Sequence, residues 1–413
     1  MAKFVPPNAP AAAAPTLGPP VASLSASAPA SPSASRGPAS PGTGGSSAYT
    51  LPANALLVGP GHPYARPCQA IGAAKPGATI GIDAKGNGSY DGDVCGWSTS
   101  GLIIAGFNGR ARIDAAGRNA QGKATWVIAG TNTTIRNVEL SGATVPDNNG
   151  AAIRQEGANL TVIGCYFHDN QDGILAGDNA SSDIVVRTTE FARNGAGDGY
   201  SHNFYINHVH SFTLEGSWSH DALVGHLVKS RAAVNYLRYN RLSGQAGSDS
   251  YELDLPNGGL AYVIGNVIQQ GSGSQNPAML AYGEEGNLNP NSQLFAVNNT
   301  FVNDLGRGTA IVVGAGVTMP AVVVNNVSVG STALVSQSGA TVRTNCVTTA
   351  PVFVNRSGYD YRLAAGSPCL NAAADPGSGQ GNPLAPTLQY AHPANTVARP
   401  AIGQPDAGAY ESG

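Results

Sequence analysis

The sequence predicts an all-β protein built as a parallel β-solenoid, preceded by a disordered arm. Three observations carry this reading. A short β-rich phrase recurs along the chain: TTIRNVELSG, LTVIGCYFHDN, IVVRTTEFARN, FTLEGSWSHDA, NYLRYNRLSG, AYVIGNVIQQ, FAVNNTFVND, VVVNNVSVG and TVRTNCV. Within it, small polar residues fall in one column. Only 11% of the residues are charged, against about a quarter in a typical domain, which argues against helices with salt-bridged outer faces.

The column is Asn137, Cys165, Thr189, Ser217, Asn240, Asn266, Asn299, Asn326 and Asn345, at intervals of 19 to 33 residues. Such a period is too short for a strand–helix–strand unit at every step, and it suits one coil of three short strands. Coils stack about 4.8 Å apart, so inward amides in register can donate to one neighbour and accept from the next. A second strand precedes each phrase: GAAIRQEG, DGILAGD, HNFYINH, GHLVKSR, YELDLPN, AMLAYGE, TAIVVGA and ALVSQSG. These alternate apolar and polar residues, as half-buried strands do.

Residues 1–48 form the arm. Between residue 5 and about 48 the chain is Ala, Pro, Ser and Gly with ten prolines and one charge, Arg36, and so has nothing to bury. The first residues lack the basic start and apolar run of a signal peptide, so a trimmed leader or an engineered start is expected. Residues 49–413 are expected as one solenoid domain with an N-terminal cap coil and a C-terminal capping segment from about 350. A secreted, periplasmic or cell-envelope location is expected. No stretch reaches the roughly 20 apolar residues of a membrane span. The net charge of −3 makes no case for a nucleic-acid partner.

Five cysteines are present. Two local pairs, Cys68–Cys95 and Cys346–Cys369, lie near the two ends of the folded region and would suit an exported protein. The odd one, Cys165, is expected as a buried free thiol. Sequence leaves other pairings open.

Using the ladder as a ruler, His226 falls beside Glu252, His208 beside Arg231 and Asn203 beside His226. One sheet face then gathers His202, Tyr205, His208, His226, Lys229, Arg231, Glu252, Asp254, Tyr282, Glu284 and Glu285, with His220 on a nearby turn. Five of the eight histidines lie between 202 and 226. Such a set suits acid–base work on a polymer better than a solvated sheet face. Strand parity would send Lys229 inward with Leu227. Either the strand bends or Lys229 begins the turn, and the turn is the expectation, because an unpaired lysine in the core is costly. PNGG at 256–259 is expected as a tight turn, His168 as a turn residue, and His62 and His392 as structural.

The chain resembles the right-handed parallel β-helix, pectate-lyase-like superfamily over roughly residues 50–413. The segments GATIGIDAKGNGSYDGDVCGW and YDYRLAAGSPCLNAA…PDAGAYESG resemble its first coil and closing segment. More distantly, KSRAAVNYLRYNRL is similar to the K-S-x-x-N motif of alginate lyases and chondroitinase B. That resemblance implies a polysaccharide lyase acting on a uronic-acid glycan by β-elimination, with Lys229 as base. His226 or Arg231 would neutralise the substrate carboxylate, and Tyr205 or His202 would be the acid. His208, His220, Arg238, Tyr282 and Glu252 are expected to bind substrate. Calcium is the expected cofactor if one is used, on Glu252, Asp254 and Glu284; no histidine spacing compels zinc. The motif departs from the family in two ways: no arginine follows on the YELDLPNGG coil, and the preceding coil lacks carboxylates. Alternatives are a glycoside hydrolase pairing Glu252 with Glu284, a uronate epimerase, and a non-catalytic glycan-binding surface protein.

Overall fold

The computed structural model describes residues 49–85, 89–245, 247–350 and 352–412; the arm lies outside them. Short strands separated by turns stack into a right-handed parallel β-solenoid of about 10 turns. The strands form three parallel sheets. The first sheet has twelve strands, from Leu56–Val58 to Thr341–Arg343. The second has ten, from Ala111–Asp114 to Cys346–Thr348, and the third has ten, from Cys95–Trp97 to Ala333–Val335. Apolar residues from all three line one continuous core.

A single residue turns the chain from the first sheet into the second. It is left-handed at each rung, for example Gly164, Gly216, Tyr239, Gly265, Asn298 and Asn325, all with φ between 52° and 67°. The next residue points inward and forms the ladder. The backbone N–H of Asn240 donates to Asn266 Oδ1, that of Asn266 to Asn299 Oδ1, and that of Asn299 to Asn326 Oδ1, at 2.8–3.0 Å. Ser217, Thr189 and Cys165 continue the chain upward and Asn345 closes it below. Asn137 is not a member. It pairs in register with Gly164 and takes the corner position itself, donating to the carbonyls of Gly106 and Gly109, so Val138 stands in the ladder column.

A second amide chain, unforeseen from the sequence, runs along the corner between the second and third sheets. Ala143 N–H donates to Asn170 Oδ1, Asn170 N–H to Asn194 Oδ1, and Asn194 N–H to Asn203 Oδ1. Asn203 therefore faces the interior.

The helix Pro67–Ala73 covers the N-terminal coil and is tied to it by the Cys68–Cys95 disulfide. Cys346–Cys369 ties the last coil to the C-terminal segment, and Cys165 is free and buried. The C-terminal segment does more than close the end. Phe353–Asn355 and Asp360–Leu363 form a hairpin. The chain then returns along the outside, where Gly379 accepts from Tyr262 and His392 packs edge-on against Trp218. Among the described residues no helix is long and apolar enough to cross a membrane.

Replacing Asn299 with alanine removes the acceptor of the buried Asn266 N–H. We expect a loss of roughly 1–3 kcal/mol for that orphaned group alone, read as a lowered denaturant midpoint.

Candidate functional site

The site lies on the outer face of the third sheet. Register pairs Tyr205 with Lys229 and Lys229 with Asp254. The offsets are 24 and 25 residues (229−205 and 254−229). The ladder intervals at the same rungs are 23 and 26. The ruler is therefore off by one here, because the turns flanking this sheet differ in length from rung to rung.

Several expectations change, those on the third sheet for that reason. His226 lies level with His202 rather than Asn203, and its ring packs against Tyr251. His208 is level with Ala232, beyond the strand, where its Nδ1 is 3.5 Å from Asp178. Tyr282 pairs with Leu255, is fully buried in the core, and donates to the carbonyl of Gly259. Glu252 is fully buried rather than on the patch. His220 is on the second sheet, between Glu190 and Asp221. Arg238 is on the first sheet, over the Tyr236 and Tyr262 rings. His168 is in a strand of the second sheet, paired with Asp169 and Glu139. PNGG, by contrast, is the expected tight turn, with Gly258 N–H donating to the Leu255 carbonyl.

Lys229 belongs to a strand, Lys229–Ser230, not to a turn. Leu227 and Val228 both point into the core, so the chain bends there and the parity shifts. Lys229 then faces outward, level with Tyr205. Its Nζ lies 2.9 Å from Glu285 Oε1 and 3.2 Å from Asp254 Oδ2. Burial alone would lower the ammonium, but Asp254 and then Glu285 outweigh it and hold Lys229 above its ordinary value. Asp254 is pushed up to about 6 by burial, against the pull of Lys229.

Arg231 follows the strand. Its Nε donates to the Tyr205 hydroxyl at 3.1 Å, and its other nitrogens bind Asn257 Oδ1 and Glu285 Oε2. Both cations thus converge on one carboxylate, Glu285. That residue comes from the turn after Tyr282, which reaches back over two rungs and is fastened by Asn289 to the carbonyls of Arg231 and Ala232. Burial would raise Glu285, but Lys229 and Arg231 hold it below its ordinary value.

His202 and His226 stack at 4.5 Å. His202 Nδ1 accepts from the His226 backbone and His226 Nδ1 from the Tyr251 backbone, which leaves the proton of each neutral ring on Nε2. Burial is the main reason both rings stay neutral: it lowers His202 to about 3 and His226 well below its ordinary value, with Lys229 adding to both. Asp172, one rung above, accepts from the His202 backbone at 2.7 Å.

Asp172, Tyr251, Asn257 and Asn289 are site residues that sequence reasoning missed. Asn257 carried the one available signal, a polar residue in a glycine turn directly after the patch strand.

Glu252 instead faces Asp249, and no other hydrogen-bond partner is placed for either carboxyl group among the described residues. Burial pushes Asp249 up to about 6, offset by a hydrogen bond from Glu252. Glu252 is raised well above its ordinary value by burial and by the Asp249 charge. Two carboxyl groups buried side by side disfavour ionisation of both. This removes Glu252 from the expected calcium set and from the expected hydrolase pair with Glu284. Among the described residues no group of three or more His, Cys, Asp or Glu is gathered to hold a metal ion. With Glu252 turned inward against Asp249, the expected trio of Glu252, Asp254 and Glu284 does not gather around one calcium ion.

No family model and no curated protein matches the chain. Among solved structures it is similar to pectate lyase Pel9A, with a TM-score of 0.57 and 15% identity over 84% of this chain and 90% of that one. It also matches PL6 family alginate lyase AlyGC, with a TM-score of 0.38 and 13% identity over 73% of this chain and 52% of that one. A third match is the Azotobacter vinelandii mannuronan C-5 epimerase AlgE6 A-module, with a TM-score of 0.37 and 14% identity over 68% and 93%. The likeness to Pel9A is one of fold, the right-handed parallel β-helix.

The Asp249–Glu252 pair makes a pH prediction. A carboxyl raised in the folded state holds its proton while the unfolded chain loses it, so stability falls as pH climbs above about 4. Glu252→Gln keeps a donor toward Asp249 without that loss. Its melting temperature should exceed that of the unmodified protein at pH 7, and the gap should close toward pH 4 in a thermal-melt series.

Proposed function

We propose that the Lys229 patch takes a uronic-acid residue of an acidic polysaccharide and cleaves the glycan by β-elimination. The observation that carries this reading is the position of Glu285. Two cations grip its carboxylate, yet its side chain is 46% exposed. Glu285 stands where a substrate carboxylate would bind, on a turn that can give way to it. A planar guanidinium beside an ammonium is the donor set for such a group. The fold shared with pectate lyase Pel9A is consistent with this substrate class.

The electrostatics recast the roles. Lys229 is held as the ammonium, so it serves as proton donor rather than base. Arg231 takes the substrate carboxylate, which makes the C5 proton acidic. Tyr205, whose oxygen receives the Arg231 Nε–H, is the group placed to take that proton as base, with Arg231 beside it. The electron pair left on C5 forms the C4–C5 double bond, the C4–O bond breaks, and the departing oxygen takes the Lys229 proton. The neutral His202–His226 stack walls the site and orients Tyr205, which lies parallel to His202 at 5.9 Å. The two disulfides support export to an oxidising compartment.

The test follows the ultraviolet absorbance of unsaturated product across a panel of uronate glycans. Tyr205→Phe and Lys229→Ala should each lower kcat by roughly 10²–10⁴-fold, while Glu285→Gln should lower KM by loosening the stand-in carboxylate. Activity should fall in the alkaline range where Lys229 loses its proton, with no break from the two histidines near neutral pH. Absence of product on every uronate glycan, or full activity in both Tyr205→Phe and Lys229→Ala, overturns the reading.

A further inference from the structure

A second polar feature lies on a different face. Arg241, on the second sheet, is only 8% exposed. The returning C-terminal segment packs over it and leaves an open cleft of about 430 Å³, whose lining includes Trp218, Arg241, Tyr359, Tyr361, Tyr390 and Tyr410, with Asp360 and Arg362 paired to each other at its edge. That volume falls in the range of about 300–1,000 Å³ typical of small-ligand sites. The guanidinium lies 5.6 Å from the Trp218 ring centre, 5.5 Å from Tyr359 and 6.0 Å from Tyr361.

Arg241 is largely buried yet has no ion pair among the described residues. Its Nε is buried with no hydrogen-bond partner among the described residues, and so is the Tyr361 hydroxyl. No carboxylate among the described residues lies within ion-pair distance. The acids around it are engaged elsewhere: Asp360 with Arg362, and Glu190 with His220 at 3.3 Å. The comparably buried Arg399 is paired with Glu411 at 3.0 Å. A buried cation without an anion is costly, and contacts with aromatic faces offset only part of that cost. A guanidinium lining a cavity with no ion-pair partner calls for an acceptor with negative charge, and aromatic side chains around it suit the apolar face of a sugar ring.

We infer that this cavity is an auxiliary glycan subsite that takes the carboxylate of a single uronate residue on Arg241, with the sugar ring held among Trp218 and the tyrosines. The choice of a uronate over other anions rests on the function proposed above. The cavity itself lies on another sheet from Lys229, so the two sites can be tested apart.

The experiment uses the full chain carrying Lys229→Ala and Arg231→Ala, which silences the first site. Trp218 is the tryptophan at this cavity, while Trp97 and Trp126 are buried in the core, so ligand binding is read by tryptophan fluorescence and by calorimetry. Trigalacturonate should bind and change the fluorescence, and its carboxyl-reduced, neutral counterpart should not. Arg241→Met in the same background should weaken binding by roughly tenfold or more without lowering the melting temperature, since it removes an unpaired charge. Tyr359→Asn, at the half-exposed rim and compatible with the left-handed backbone there, should weaken binding several-fold and serves if Arg241→Met does not fold. Binding unchanged by these variants, equal binding of the neutral trimer, or no binding of trigalacturonate overturns the inference. Arg241-dependent binding in a protein that forms no unsaturated product would sink the lyase reading and leave this one standing; product without such binding would do the reverse.

Discussion

Everything in this protein depends on one corner. A single left-handed residue turns the chain between the first two sheets, and the side chain after it enters a continuous column of hydrogen bonds from Cys165 to Asn345. The corner cannot lengthen without breaking that column, so those two sheets stay in register rung after rung. Insertions are forced into the other two turns. The third sheet, flanked by both variable turns, is where sequence can drift without unravelling the core, and it is there that the Lys229 patch sits.

Drift at those turns also builds the site. The longer turn after Tyr282 brings Glu285 and Asn289 back over Lys229 and Arg231, more than fifty residues away in the chain. Asn203, as the last amide of the second chain, faces inward and leaves its neighbour His202 on the outer face, against His226. Backbone N–H groups occupying both Nδ1 atoms, with burial, keep the rings neutral. The cations of the patch are therefore Lys229 and Arg231, set against Asp254 and Glu285.

The molecule's buried cations differ in how they are compensated. Lys229 and Arg231 lean on Asp254 and Glu285, and Arg399 on Glu411. Arg241 has only aromatic rings. Ordinary folding favours compensation, so the contrast separates a structural cation from one left open to a ligand.

The period of the β-rich phrase, the inward Asn column and the alternation of the second strands were enough to determine the solenoid, because each is a local pattern repeated at every rung. The two local cysteine pairs and the cluster of His, Lys and Arg between 202 and 231 were legible for the same reason: they lie close in sequence. Which residues share a rung of the third sheet was not legible, since the ladder measures the one turn whose length is constant. That is why Glu252 and Tyr282 proved to be interior. The bend at Leu227–Val228, the return of Glu285 over the two cations and the roofing of Arg241 by the C-terminal segment were decided only by tertiary structure. Each depends on contacts between segments far apart in the chain, and no local period encodes those.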